Sequence, residues 1–139
     1  MRFADFMAHM KIRHENPDDK CAIHALAVAA FPTPAEAALV DALREEGDSA
    51  IPLVAEEGAT IVGHALFSKL TSPLRCLALG PVSVFVDRQG HGIGSALIRE
   101  GLEQAKREGW LAVFVLGAPA YYERFGFSVA AATRFETPY

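Results

Sequence analysis

Residues 87–94 read Asp-Arg-Gln-Gly-His-Gly-Ile-Gly, and this segment lies between an apolar β-like run and an amphipathic helical one. Glycine lacks the Cβ that holds a ligand away from the backbone, so successive N–H groups can converge on a phosphate at the positive end of the following helix. Three phosphate-binding chemistries compete for such a turn. A nucleotide-hydrolysing loop needs Lys-Ser or Lys-Thr after its last glycine, whereas Gly94 is followed by Ser95-Ala96. A dinucleotide fold needs G-x-G-x-x-G and an acidic residue after the next strand. Here Gly90-x-Gly92 is followed by Ser95, and residues 110–117 contain no acid. The third, Gln-x-x-Gly-x-Gly, is met by Gln89, Gly92 and Gly94.

The elements around this turn follow from hydrophobic periodicity. Lys11 to His14 reads as a short strand, and Asn16-Pro17-Asp18-Asp19 supplies turn and cap chemistry. A helix follows, with Ile23, Leu26, Ala27 and Ala30 on one stripe, until Phe31-Pro32-Thr33-Pro34 breaks it. Ala35 to Glu46 reads as a second helix. Leu53–Glu56 and Thr60–Ser68 form a hairpin through Glu57-Gly58-Ala59. Leu74 to Val86 is a long apolar run in which Gly80-Pro81 predicts a bulge or a parting of strands. Ile93, Leu97, Gly101 and Ala105 recur every fourth residue up to a Gly109 cap. Trp110–Leu116 reads as a central strand covered on both faces, Ala118–Phe125 as a short helix and Phe127–Ala131 as a last strand.

At 139 residues the chain fits one domain, spanning 11–139, with residues 1–10 as an extension ahead of the patterned sequence. A formal charge of -4 provides no global field to draw the protein onto nucleic acid or anionic lipid, so a polyanionic ligand must be held by local geometry. Cys21 and Cys76 lack metal-ligand spacing; no metal site is expected, and reduced thiols fit a cytoplasmic protein. No secretory leader or membrane-length apolar run is evident, so a soluble protein is expected.

The Gln89-Gly94 turn resembles the acetyl-coenzyme A motif of the GCN5-related N-acetyltransferase (GNAT) superfamily. Ala118-Pro119-Ala120-Tyr121-Tyr122-Glu123-Arg124-Phe125-Gly126-Phe127 is similar to that family's later motif, in which a tyrosine precedes a Gly-Phe pair by four residues. Gly-His-Ala-Leu-Phe-Ser at 63–68 and the Tyr-Tyr pair are similar to a group of small bacterial predicted acetyltransferases. The resemblance covers about Lys11 to Ala131. It implies an α/β (α+β) acyl-CoA N-acyltransferase fold, with a mixed, mostly antiparallel sheet, splayed strands and helices on both faces.

The resemblance further implies that acetyl-CoA is the cosubstrate. Its pantetheine arm would lie as a pseudo-strand along Val82, Ser83 and Val84. Its diphosphate would rest on the amides of Gln89 to Gly94, chiefly Gly90, Gly92, Ile93 and Gly94, with Ser95 nearby and Arg88 and His91 placed to add charge. Tyr122 matches the family's tyrosine, a general acid for the departing thiolate, while Tyr121 is set aside as a packing or substrate-side residue. The acceptor would be a primary amine of a small molecule or peptide. It must lose a proton, and His64 is the candidate base by its ordinary pKa. Glu56 and Glu57 read as plain surface charges. The alternative is a non-catalytic acyl-CoA-binding or sensing module. Residues 128–139 contain no clear apolar run for the family's closing strand, which would leave an edge that a second subunit of a homodimer could cover.

Overall fold

The computed structural model describes residues 10–70, 74–115 and 119–127. Five strands form one sheet in sequence order: β1 Met10–His14, β2 Ser49–Glu57, β3 Thr60–Lys69, β4 Cys76–Val84 and β5 Ala112–Val115. The first four pair as antiparallel neighbours, and β5 runs parallel to β4. α1 (Lys20–Ala30) and α2 (Ala35–Glu45) connect β1 to β2, α3 (Ile93–Arg107) crosses from β4 to β5, and the short α4 (Pro119–Tyr122) follows β5. The expected mixed sheet with helices on both faces is therefore present. Residues 1–9, which belong to the expected N-terminal extension, and 128–131, which belong to the expected last strand, lie outside the described residues.

β2 starts four residues before the predicted Leu53 and includes Pro52. A proline is tolerated in this inner strand because its carbonyl accepts from Glu15 N (3.0 Å) on the β1 side, and its missing N–H faces that same side, just past the last β1 pair, His14 with Leu53. β5 starts two residues later than predicted, at Ala112. The Trp110 amide still donates to Ala105 O of α3, and β5 is an edge strand among the described residues, with half-buried rather than buried side chains.

One core lies between α3 and the sheet. Ile93, Leu97, Ile98 and Ala105 pack on Leu53, Ala65, Phe67 and Leu77, each leucine, isoleucine or phenylalanine among them contributing roughly 1.5–3 kcal/mol when fully buried. Gly101 permits the close approach: a Cβ there would stand 2.0 Å from Phe67 Cε1. On the other face Ile23 of α1 and Val40 of α2 cover Val54 and Leu66. Arg13 ties β1 to the start of α1, donating to Asp19 (2.8 and 3.1 Å) and also to Glu56 (2.9 Å).

The parting of strands foreseen at Gly80-Pro81 governs the rest of the molecule. From Cys76 to Leu79, β4 pairs residue by residue with Ala112 to Val115 of β5. The pairs described with β5 end at Leu79, and the β3 register is irregular between Ala65 and Phe67, opposite Gly80-Pro81. Gly80 has φ +144°, a conformation side-chain-bearing residues rarely adopt, and Pro81 offers no N–H to a ladder.

Candidate functional site

Beyond the point of parting, Val82, Ser83 and Val84 keep β3 on one side and have no strand partner on the other among the described residues. A cleft of about 320 Å³ opens there, lined by Val82 and Val84 of β4, Gln89 of the turn, Gly94 and Ile98 of α3, and Tyr121 and Tyr122 of α4. The last residue of α1, Ala30, and the adjoining Phe31 close another wall. The cleft thus combines an apolar lining with an open strand edge, which suits an extended amide-bearing chain.

One end of the cleft meets the glycine-rich turn. A 3-10 turn at Val86–Arg88 ends β4, and Gly92 then begins α3 with φ +82°. Ala96 N to Gly92 O (3.0 Å) is the first helical hydrogen bond, so the amides of Ile93, Gly94 and Ser95 precede the ladder and have no intrahelical acceptor. Glycine at the cap leaves no side chain to satisfy them, and the first turn holds no acidic residue. Gly90 also has a positive φ (+81°), and nothing lies within 4 Å of a Cβ built at either Gly90 or Gly92. Donors without an intrahelical acceptor, the positive helix end and open space together suit an anion. Gln89 Nε2 donates to Val84 O (3.2 Å), joining the turn to the strand edge.

Tyr121 and Tyr122 both face the cleft, their rings edge to face at 5.0 Å. Burial, helped by the neighbouring Tyr121, raises the Tyr122 pKa above the ordinary tyrosine range, so its hydroxyl keeps its proton. The Tyr121 hydroxyl approaches α3 through the gap left by Gly94, 3.8 Å from where a Cβ there would stand. Tyr121, expected as a packing or substrate-side residue, lines the cleft beside Tyr122 and across from Gly94.

The remaining expected site residues divide. Val82, Val84, Gln89 and Gly94 line the cleft, and Gly90, Gly92, Ile93 and Ser95 form the turn and the first helical residues. His91 is exposed on the same turn. Ser83 alternates away from the cleft and is buried, opposite His64 on β3. Directly paired residues share a sheet face, so His64 lies with Ser83 on the face away from Val82 and Val84. His64 is 0% exposed, its Nε2 faces Glu15 Oε1 at 3.5 Å, and Ser83 Oγ has no hydrogen-bond partner among the described residues. The structure therefore does not bring His64 to the cleft beside Tyr122. Glu56 and Glu57 are more than surface charges: Arg13 binds Glu56, and Arg88 grips Glu57. Among the described residues there is no cluster of His, Cys, Asp and Glu that could hold a metal, and no helix long and apolar enough to cross a membrane.

Comparisons with known proteins agree with this arrangement. Residues 21–127 match the acetyltransferase (GNAT) family. The uncharacterized N-acetyltransferase YhbS of Escherichia coli (strain K12) is 38% identical over 126 residues, covering 88% of this chain and 75% of the relative. A GNAT family acetyltransferase from Brucella melitensis, solved in complex with acetyl-CoA, superposes with a TM-score of 0.84 at 41% identity, over 88% of this chain and 84% of that one. The E. coli YhbS structure, in complex with CoA, gives a TM-score of 0.85 at 37% identity, over 89% of this chain and 71% of that one.

Proposed function

The chain belongs to the acetyltransferase (GNAT) family, and from that membership we propose that it transfers the acetyl group of acetyl-CoA to a primary amine of a small molecule or peptide by direct attack. The observation that carries this reading is the continuity of the open β4 edge with the unsatisfied amides at the start of α3. An extended pantetheine arm can pair along Val82–Val84 while its diphosphate receives the N–H groups of Gly92, Ile93, Gly94 and Ser95. The complexes of the Brucella melitensis and E. coli relatives with acetyl-CoA and CoA support the same ligand here.

The thioester supplies an activated acyl carbon. The amine nitrogen forms the new C–N bond as the C–S bond breaks, and Tyr122 gives its proton to the leaving thiolate. The raised pKa of Tyr122 favours this role, because only the protonated phenol can donate. Tyrosinate then recovers a proton from solvent. The proton lost by the amine is assigned to water in the open cleft; His64, buried beneath the opposite face, is left out of the proposed chemistry. Phe31 stands at the wall by which an acceptor would approach.

The test is free-thiol release from acetyl-CoA with a panel of amines, run beside Tyr122→Phe. The proposal expects amine-dependent release, with kcat falling by about 10²–10⁴-fold in the variant and coenzyme affinity unchanged. Coenzyme binding with no thiol release for any amine would instead mark a binding or sensing module.

A further inference from the structure

We infer that Glu57, on the β2–β3 hairpin, is a positioning residue that presets the coenzyme turn through Arg88; this rests on the coenzyme reading above. The turn's glycines at 90 and 92 give it the left-handed geometry an anion seat needs, but glycine also loses the most freedom when ordered. Something else must fix where the seat points. Several bonds bind its approach to the rest of the fold. Main-chain bonds hold Phe85 N to Val62 O (2.8 Å) and Arg88 N to Phe85 O (2.8 Å), and Gln89 reaches back to Val84 O.

Arg88 adds the long-range tie. Its Nε donates to Glu57 Oε2 (2.7 Å) and its Nη2 to Glu57 Oε1 (3.2 Å), a two-point fork with directional demands on both partners. The Glu57 side chain is 18% exposed, so the pair is partly shielded from solvent. Glu57 belongs to β2, where it pairs with both Met10 of β1 and Thr60 of β3. The fork therefore anchors the residue immediately before Gln89 to a rigid three-strand corner. Arg88, which the sequence reading placed only to add charge near the phosphates, is by this account a strut whose charge is matched by a carboxylate.

The two roles predict opposite signs. If Arg88 is a strut, Glu57→Gln loosens the turn and weakens coenzyme binding. If Arg88 is a phosphate ligand restrained by Glu57, the same change frees a cation and tightens binding. The experiment is calorimetric titration with CoA of the wild type, Glu57→Gln, Arg88→Gln and the double variant, alongside steady-state kinetics and thermal unfolding. The expected result is an affinity loss of about tenfold in each single variant and no further loss in the double, as one shared interaction requires. The KM for acetyl-CoA should rise in Glu57→Gln by a similar factor with kcat unchanged, and Glu57→Asp should recover part of the affinity. Unchanged or tighter binding by a folded Glu57→Gln protein, or additive losses in the double variant, would overturn the inference. Absence of CoA binding by the wild type would instead defeat the coenzyme reading itself.

Discussion

From Cys76 to Leu79, β4 has a strand on either side and its side chains are buried; from Val82 to Val84 it has only β3 among the described residues, and its side chains alternate between the cleft and the opposite core. The paired half satisfies its backbone within the sheet and joins Leu77 and Leu79 to the core under α3. The open half has no second strand among the described residues, and it lies a few residues ahead of a helix start whose first amides have no intrahelical acceptor. The difference arises at Gly80-Pro81, between the two halves, and it shows how one strand can serve first as scaffold and then as receptor. In this molecule the proposed ligand site lies where the described pairing of β4 with β5 has ended.

Substitutions at α3 glycines should separate the halves. Gly101 faces Phe67, the β3 partner of Leu79, and a methyl at 2.0 Å from the ring has no space. Gly101→Ala should therefore lower stability by about 2 kcal/mol or more despite the better helix propensity of alanine, read as the midpoint of urea unfolding. An unchanged midpoint would mean that α3 does not clamp the paired half. A smaller effect reports whether that half is sealed. Cys76 is 2% exposed and burial raises its thiol pKa, whereas Cys21 is exposed on α1. A thiol reagent should label one cysteine in the native protein and both after unfolding. Native labelling of Cys76 would show that the paired half opens as readily as the cleft.

The sequence made the parts with local physics legible. Periodicity located α1, α2 and α3, and the glycines of 90–94 marked the anion seat, because both signals depend on neighbouring residues alone. The pyrrolidine of Pro81 after Gly80 gave away the parting of β4 for the same reason. Partnerships across the fold were less visible. Glu57 and Arg88 lie 31 positions apart, and nothing local distinguishes a carboxylate that grips an arginine from one that is merely solvated. His64 had the right chemistry and the right strand, but which face it occupies depends on two irregularities in the β3 register, near Gly63 and opposite Gly80-Pro81. Tyr121's place in the cleft depends on how α4 docks against α3 and β4, which no local pattern reports. Pro52 hid the start of β2, since its tolerance rests on where β1 ends.

Gly94 gives the most direct test of the central claim, that the open edge of β4 and the start of α3 together hold the coenzyme. Its helical φ carries no strain, and a Cβ there would make only ordinary contacts, at 3.7 Å from Val84 and 3.8 Å from the Tyr121 hydroxyl, but a longer side chain would occupy the cleft. Calorimetric titration of Gly94→Leu with acetyl-CoA should show affinity reduced by about 100-fold, close to 2.7 kcal/mol, with the urea midpoint little altered. Wild-type-like binding by that variant would contradict the account.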